Sequence, residues 1–472
     1  MSRALSWLNR IEKVPSLNLA FSNLARAGSY MLPVPFIYAF SGAAETAFWM
    51  LVVTLIGLQN LLFLGSPQIL IRMLSVARSK ANNEHELMAA FDSPTEAHLI
   101  YFMRTLFMIA AIVITLLFAT IGSWAVAHSV SLTSNPQDCW NLWAIITGTT
   151  FLRVGLLQYL TFLNGYGDIA VPRFVDGVAW VLAAFFATIG YWLSGSLVIM
   201  AISTQAPLLV LLGFLHRRSA SYGWREMSRS TQGADLKKTA KTIWMPTWRA
   251  GLGSFLSLGS RQGAGVVLAQ YSRPELVAGF LLAQNVISLI MVLSSAPVQS
   301  VLHTMSEYYA VGKTELHNQL AAQALTRSLW VVVAACGMIG LMIIPSLKAF
   351  GLQGMFVTAP LWAIMSFALY FQRYGAAHLQ HYSITNHIFW HRLDGGTGVM
   401  NIALAAWLIP TYGAWGAAIA NLSSVATIYA WIPVLFVVRR FDFDWFENDF
   451  KPVSLITCCF VIVLGFAIWI GY

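Results

Sequence analysis

The chain has 472 residues, of which 58% are hydrophobic and only 10% are charged, and its formal net charge is +9. Soluble domains carry about 25% charged residues, so this composition, with a mean hydropathy of +0.66, excludes an ordinary soluble enzyme. Apolar stretches of about 20 residues recur along the chain, which is typical of a polytopic α-helical membrane protein. Residues 1–16 carry three basic side chains and predict an interfacial segment at the cytoplasmic surface rather than a cleaved signal peptide.

Hydropathy predicts thirteen membrane spans in chain order. They lie near residues 17–39, 46–73, 99–125, 140–163, 174–193, 196–215, 249–271, 277–303, 323–345, 355–377, 396–410, 414–438 and 452–471. We divide the chain into the interfacial segment 1–16, a six-helix lobe 17–215, a basic cytoplasmic linker 216–248, a second six-helix lobe 249–438, and a linker with an extra span, 439–472. The predicted fold is therefore all-α, with two tandem six-helix lobes and a thirteenth span.

Basic residues in the connections predict the orientation. The chain has 28 Lys and Arg residues, and most of those outside the spans lie in the N-terminal segment and in every second loop, whereas the alternate loops contain only Arg273 and Lys348. Because cytoplasmic loops are enriched in Lys and Arg, the N-terminus is predicted to be cytoplasmic. The same rule explains the charge of the 216–248 linker, so we predict no nucleic-acid partner.

The two predicted lobes repeat a set of short motifs in the same order. SNLARAG (22–28) in span 1 matches SLGSRQG (257–263) in span 7, MRTLF (103–107) matches TRSLW (326–330), and RVG (153–155) matches RYG (373–375). Arg173 with Asp176 and Arg392 with Asp394 follow at similar distances. Six spans are an even number, so the lobes enter the membrane in the same direction and form parallel repeats, as in many transporters.

Pro67 and Pro297 stand late in spans 2 and 8, and YGAWGAAIANLSS (412–424) opens span 12. With the repeat, these features resemble the multidrug/oligosaccharidyl-lipid/polysaccharide (MOP) exporter superfamily over residues 17–438, and within it the chain is most similar to Wzx-type polysaccharide flippases. The resemblance implies alternating access around a cationic central cavity that moves an undecaprenyl-diphosphate-linked oligosaccharide across the bacterial inner membrane. It also implies hinges at the two prolines, contact with membrane lipids, and cooperation with a polymerase and other polysaccharide-assembly proteins. An H⁺ or Na⁺ coupling ion is an open possibility.

Internal charges are the candidate substrate site. Seven arginines lie inside the predicted spans, and no Asp or Glu lies near the centre of one; these arginines are Arg26, Arg72, Arg104, Arg153, Arg261, Arg327 and Arg373. A guanidinium can bind phosphate oxygens through two parallel hydrogen bonds, so cations without acidic partners favour an anionic diphosphate cargo. We predict substrate contacts from Arg26, Arg261, Arg153 and Arg373, assisted by Ser22 and Ser257, which lie four residues before Arg26 and Arg261 on the same helix face.

Each arginine also has a simpler interpretation. Arg72, Arg104, Arg327 and Arg373 lie near the predicted cytoplasmic ends and can extend to the headgroups, and the deeper Arg26, Arg153 and Arg261 can hydrogen-bond to helix carbonyls. Two alternative functions share the fold: a MATE-like multidrug or cation antiporter, which requires a membrane-embedded acid, and a lipid II flippase. No phosphate-binding glycine loop, nucleophile triad or metal-ligand cluster is evident, so we predict no enzymatic activity, no cofactor and no metal site.

Overall fold

A computed structural model describes residues 15–63, 65–82, 96–227, 236–385, 390–441 and 443–471, and these residues are helical with short connections. The helices are α1 (Pro15–Met31), α2 (Val34–Ser41), α3 (Ala43–Gln59), α4 (Ser66–Asn82), α5 (Glu96–Leu117), α6 (Ser123–Ser131), α7 (Pro136–Gly148), α8 (Thr150–Gly165), α9 (Ala170–Ser194), α10 (Leu197–Ser221), α11 (Trp224–Met227), α12 (Leu236–Tyr271), α13 (Pro274–Ala310), α14 (Thr314–Met338), α15 (Ile344–Ala349), α16 (Ala359–Ser383), α17 (Trp390–Ser424), α18 (Ile432–Phe441) and α19 (Lys451–Gly471). Most of the predicted interfacial segment 1–16 lies outside the described residues, as does part of the 216–248 linker.

Eight helical segments of the described chain are long and apolar enough to cross a membrane, which confirms the prediction of a polytopic all-α protein. One of them, His391–Phe441, contains predicted spans 11 and 12, which are separated by a break at Gly413, where φ is 53° and ψ is −127°. Predicted spans 1, 2, 4 and 7 are not among these eight segments, for local reasons. Pro33 divides the first into α1 and α2, spans 2 and 4 are each made of two shorter helices, and α12 contains too many polar residues.

The chain forms two compact units. The first comprises Met1–Phe48 and Leu55–Gly251, and the second comprises Trp49–Thr54 and Leu252–Tyr472. In the first unit α9 packs against both α1 and α10, so α9 is central to its packing. In the second unit α13 packs along α14, and α16 contacts α13, α14, α17 and α18. The side chains of α16 are correspondingly among the most completely buried in the chain.

The two predicted hinge prolines occupy different helical contexts. Pro297 lies inside α13, where its missing N–H leaves a carbonyl unpaired and permits bending. Pro67 is the second residue of α4 and follows a break in which Gly65 has φ of 74°. In the first turn of a helix proline removes no helical hydrogen bond, so Pro67 leaves no carbonyl of α4 unpaired, and its role as a hinge stays a prediction. The chain direction changes before Pro67, at Gly65.

A wide helical turn interrupts equivalent helices in the two halves. One π turn, Phe118–Gly122, follows α5, and another, Ile339–Ile343, follows α14. The last residue of the first turn, Gly122, lies against Trp143 of the next span. The second residue of the other turn, Gly340, lies against Trp362 of its next span. The indole N–H of Trp143 donates to Ser123 Oγ at 2.9 Å, and that of Trp362 donates to the Cys336 carbonyl at 3.0 Å. The internal repeat therefore extends beyond the motifs visible in the sequence.

The equivalent glycines of RVG and RYG have different surroundings. A Cβ atom on Gly375 would lie 2.1 Å from the carbonyl oxygen of Tyr429, which belongs to the π turn Val425–Tyr429. A Cβ atom on Gly155 would meet only Leu212 Cδ1, at 3.5 Å, which is an ordinary van der Waals distance. Gly375 is therefore required for close approach of two backbones, whereas Gly155 is not.

Candidate functional site

In the first unit a buried carboxylate joins α1 to α9. Asp176 lies in the second turn of α9 and is 1% exposed. Its Oδ2 accepts hydrogen bonds from Ser22 and from Arg26 Nη2, the latter at 3.0 Å, and Arg173 Nη1 lies 4.0 Å away. Its Oδ1 accepts from the indole N–H of Trp180 at 3.1 Å. The four partners hold an ionised carboxylate in an otherwise apolar helix interface, which would be unfavourable without them.

This arrangement corrects the expectation that Arg26 has no acidic partner. The sequence places Asp176 near the end of a span, and only the packing of α1 on α9 brings it to Arg26. The cluster keeps a formal charge of +1, since Arg26 and Arg173 share one carboxylate. The Arg26 side chain remains 34% exposed, its guanidinium lies over the Trp180 ring at 5.3 Å, and its buried Nε has no hydrogen-bond partner among the described residues. The contact with Asp176 thus leaves about a third of the Arg26 side chain accessible.

In the second unit Arg261 of α12 occupies the corresponding position. Its Nη1 donates to Gln372 Oε1 at 2.6 Å, and Asp394 lies near enough to interact with it electrostatically. Arg261 lines a pocket whose polar groups are mainly amides. Within the described chain, Gln262 Oε1 and Asn401 Oδ1, which belong to lining residues, accept no hydrogen bond. An adjoining smaller pocket is lined by Arg261 together with Ser257.

The structure therefore brings several predicted site residues together inside each unit. Ser22 and Arg26 meet at Asp176 in the first unit, and Ser257 and Arg261 line one cavity in the second. The carboxylates Asp176 and Asp394 are the acidic members of the repeated Arg–Asp motifs of the sequence. Each unit consequently contains an arginine from its first long helix beside an aspartate from its fifth span.

Arg153 is held differently. All five of its N–H donors are engaged within the first unit, where Nε donates to Gln59 Oε1 at 3.2 Å and Nη2 donates to the Ile146 carbonyl at 2.8 Å. The other acceptors are Gln205 Oε1, Thr149 Oγ1 and Thr150 Oγ1. A guanidinium with every donor engaged has none left for a phosphate, so this geometry favours the second interpretation of Arg153, internal hydrogen bonding that connects α3, α8 and α10.

Replacing Arg153 with alanine is expected to lower the free energy of unfolding by about 2–4 kcal/mol, because it leaves the Gln59 and Gln205 carbonyls buried without donors. Arg153→Lys should recover only part of this loss, since an ammonium has three donors in place of five. Thermal unfolding of the detergent-purified protein measures both changes. Arg104→Ala, which removes an exposed arginine, is the control. An Arg153→Ala protein as stable as the Arg104→Ala protein would contradict a role of Arg153 in connecting α3, α8 and α10.

The four arginines expected to extend toward headgroups divide into two groups. Arg72, Arg104 and Arg327 are exposed, as that interpretation requires. Arg373 is only 1% exposed and donates from Nη2 to Gln380 Oε1 at 2.6 Å, so for this residue the interpretation is wrong. Its neighbour Gln372 accepts from Arg261, so Arg373 lies beside the Arg261 site without lining either of its cavities.

Sequence reasoning missed the neutral partners of the arginines. Gln59, Gln205 and Gln372 supply acceptors to Arg153 and Arg261 across different helices. Burying a glutamine in an apolar helix costs free energy unless its side chain is hydrogen-bonded. Each of these glutamines therefore indicates that a polar partner lies nearby. Which arginine each one serves depends on tertiary packing that a single sequence does not reveal.

Comparisons with known proteins identify the fold. No family model matches the chain, and no curated protein matches it in sequence. Among solved structures, it is similar to the lipid II flippase MurJ in an inward closed conformation, with a TM-score of 0.66 and 12% identity over 96% of this chain and 97% of that one. It is also similar to inward-facing and outward-facing conformations of a multidrug resistance MATE family transporter of the MOP superfamily. Their TM-scores are 0.61 and 0.60, with 17% and 16% identity over 90% and 92% of this chain and 94% and 95% of those chains.

These likenesses define a class of fold, since the shared identities are low while nearly the whole of each chain is covered. The chain has the all-helical polytopic architecture of the MurJ and MATE transporters. It is a multi-pass membrane protein of that architecture.

Proposed function

We propose that this protein is a flippase that moves an undecaprenyl-diphosphate-linked oligosaccharide, a polysaccharide repeat unit, across the bacterial inner membrane by alternating access, with its N-terminus in the cytoplasm. A polymerase and other polysaccharide-assembly proteins then use the translocated unit. The observation that carries the proposal is the Arg26 cluster. It is a cationic site of net charge +1 in which the Arg26 side chain is 34% exposed, built into the helical packing of a protein with a transporter fold.

A diphosphate is the cargo that best fits this chemistry. One face of the Arg26 guanidinium lies over the Trp180 ring, and one of its N–H groups donates to Asp176. These two contacts fix the direction of its remaining N–H groups. Such a pre-positioned guanidinium binds phosphate oxygens with strong, charge-assisted hydrogen bonds. Arg261 provides a second guanidinium beside a cavity rich in amide side chains, which suit sugar hydroxyls and phosphate oxygens alike. The pocket that Arg261 lines lies within the second unit.

Complementation of a polysaccharide-flippase-deficient bacterium tests the proposal. Arg26→Ala and Arg261→Ala are each expected to reduce surface polymer by about tenfold or more, because a hydrogen bond to a charged group contributes about 1.5–3 kcal/mol. Arg26→Lys should retain part of the activity, since the charge remains while the forked donors are lost. Polymer is measured on cells that contain equal amounts of each variant in the membrane.

Arg327→Ala is the matched control, because it removes an exposed arginine of the second unit and the same formal charge. It should restore polymer fully. Full restoration by both Arg26→Ala and Arg261→Ala would overturn the diphosphate proposal.

A specific observation also supports a second candidate, a MATE-like multidrug or cation antiporter. That function requires an acidic residue within the membrane, and Asp176 is a deeply buried carboxylate in α9. In such a protein Arg26→Ala would unmask the carboxylate and leave binding of cations intact or stronger. Efflux of a cationic dye from cells, compared between wild type and Arg26→Ala, therefore separates the two candidates. Lipid II is an alternative cargo for the first candidate function, the flippase, because it has the same diphosphate.

A further inference from the structure

The second unit contains a separate cluster of titratable side chains that the proposed substrate sites do not use. It lies where the ends of α13, α14, α16 and α18 meet the segment that precedes α19. Its members are all 4% exposed or less; they are His317, Tyr374, His378, His381 and Asp449. No sequence motif connects these five residues, which come from three separate parts of the chain.

One part of the cluster is an imidazole–carboxylate pair. His378 Nε2 lies 3.1 Å from Asp449 Oδ2 without forming a hydrogen bond among the described residues, and the Tyr374 hydroxyl donates to the same oxygen at 2.7 Å. Asp449 Oδ1 accepts no hydrogen bond from the described residues. With a neutral His378 this fully buried pair would carry an uncompensated negative charge, which is strongly unfavourable. A second proton on His378 makes an ion pair with no net charge, so the geometry favours proton binding.

The other part is a pair of histidines with fixed tautomers. His317 Nδ1 lies 2.9 Å from the Met305 carbonyl oxygen, which can only accept, so Nδ1 carries a hydrogen. His317 Nε2 and His381 Nε2 are 2.7 Å apart, a distance that admits one hydrogen between them. In the neutral pair His381 therefore donates to His317.

Both pairs face the same space. A small pocket is lined by His378 and His381, and its other walls are apolar. The ring of Phe443 lies near both histidines, with centroids 6.3 Å from His378 and 5.8 Å from His381. One histidine of each pair therefore lines the same small pocket.

The remaining ionisable groups around the cluster do not neutralise Asp449. From α16, Tyr370 bonds to Thr457 of α19, and from α13, Tyr309 accepts from Arg440 of α18 at 3.0 Å. Glu447 and Lys451 pair with each other on the exposed side of the segment. Among the described neighbours His378 is thus the cationic partner available to Asp449.

We propose that the His378–Asp449 pair is a proton-binding site and that it takes up and releases one proton in each transport cycle. The uptake adds a proton to the His378 imidazole, and release returns it to water, so no other bond is made or broken. The second half of this statement rests on the proposed function. Asp449 belongs to the segment leading into α19, whereas His378 belongs to α16, so loss of the proton leaves a buried charge between these elements and weakens their contact.

Nuclear magnetic resonance of the full chain in lipid nanodiscs, with ¹⁵N-labelled histidine, tests the binding site without any substrate. The His378 signal, assigned by its loss in His378→Gln, is expected to be that of an imidazolium at neutral pH. Asp449→Asn should convert it to a neutral imidazole, because the buried counter-charge is gone.

Glu447→Gln is the matched control, because it removes an exposed carboxylate from the same short turn and should leave the His378 signal unchanged. A neutral His378 at neutral pH, or an imidazolium that persists in Asp449→Asn, would overturn the proton site.

Complementation then tests the coupling. Asp449→Asn and His378→Gln should lose polymer about as severely as Arg26→Ala, while Glu447→Gln restores it. Full restoration by a variant whose imidazolium signal is absent would overturn the coupling. If the wild-type chain itself restores no polymer, the proposed function fails, and the resonance measurement still decides the proton site.

Discussion

Replacing Asp176 with alanine is expected to lower the free energy of unfolding by about 3 kcal/mol, because Arg26 and Arg173 then face each other without their shared carboxylate. Arg26→Ala should cost less, since Ser22 and Trp180 still donate to the carboxylate. In the double variant the two losses should be less than additive, with a coupling of about 1–2 kcal/mol, as is usual for residues in direct contact. Chemical unfolding of the purified variants measures these values.

The double variant also separates two roles of Arg26. If Arg26 serves only to neutralise Asp176, the double variant should be more stable than the sum of the two losses predicts and should regain transport. If Arg26 contacts the cargo, the double variant should show the same coupling in stability and still fail to restore polymer in the flippase-deficient strain, which is the result we expect. Asp176→Asn provides a milder comparison, because it removes the charge and keeps an acceptor for Ser22. Restoration of polymer by the double variant would contradict a direct role for Arg26.

Gly375→Ala is expected to destabilise the second unit by about 3 kcal/mol or more, because the new Cβ would lie 2.1 Å from the backbone oxygen of Tyr429. A carbonyl in a helix cannot rotate away from such a contact, so α16 and the Val425–Tyr429 turn must separate. Gly155→Ala, at the equivalent position of the first lobe, should leave stability unchanged or raise it by up to about 1 kcal/mol, since alanine is the better helix former. Thermal unfolding of the two variants compares them directly.

The pair of variants also tests the packing of the second unit. Equal stability of Gly375→Ala and Gly155→Ala would contradict the close approach between α16 and the Val425–Tyr429 turn. A large loss for both would instead point to a general intolerance of this motif.

The fold could be predicted from the sequence to a useful extent because hydropathy and helix length are local properties. The spans 170–194 and 197–221, for example, coincide closely with predictions made from apolar runs alone. The breaks were harder to place. Leu32 and Pro33 divide the first span, and Gly65 rather than Pro67 interrupts the second, and a hydropathy profile does not distinguish a bend from a continuous helix.

The candidate site was predicted in part. The repeat predicts that Arg26 and Arg261, and likewise Asp176 and Asp394, are equivalent residues, but it did not show that Arg26 bonds to the aspartate of its own unit. That contact joins residues 150 positions apart in the first unit. The histidine cluster was invisible for the same reason, because His378 and Asp449 come from elements separated by three other helical segments.

The π turns at Phe118–Gly122 and Ile339–Ile343 change which side chains share a helix face. A π turn inserts one residue into an α-helix. Because an α-helix has 3.6 residues per turn, one inserted residue rotates the side chains that follow by about 100° around the helix axis. A helical wheel drawn as one continuous α-helix through either segment therefore assigns the wrong face to the residues beyond Gly122 and Ile343.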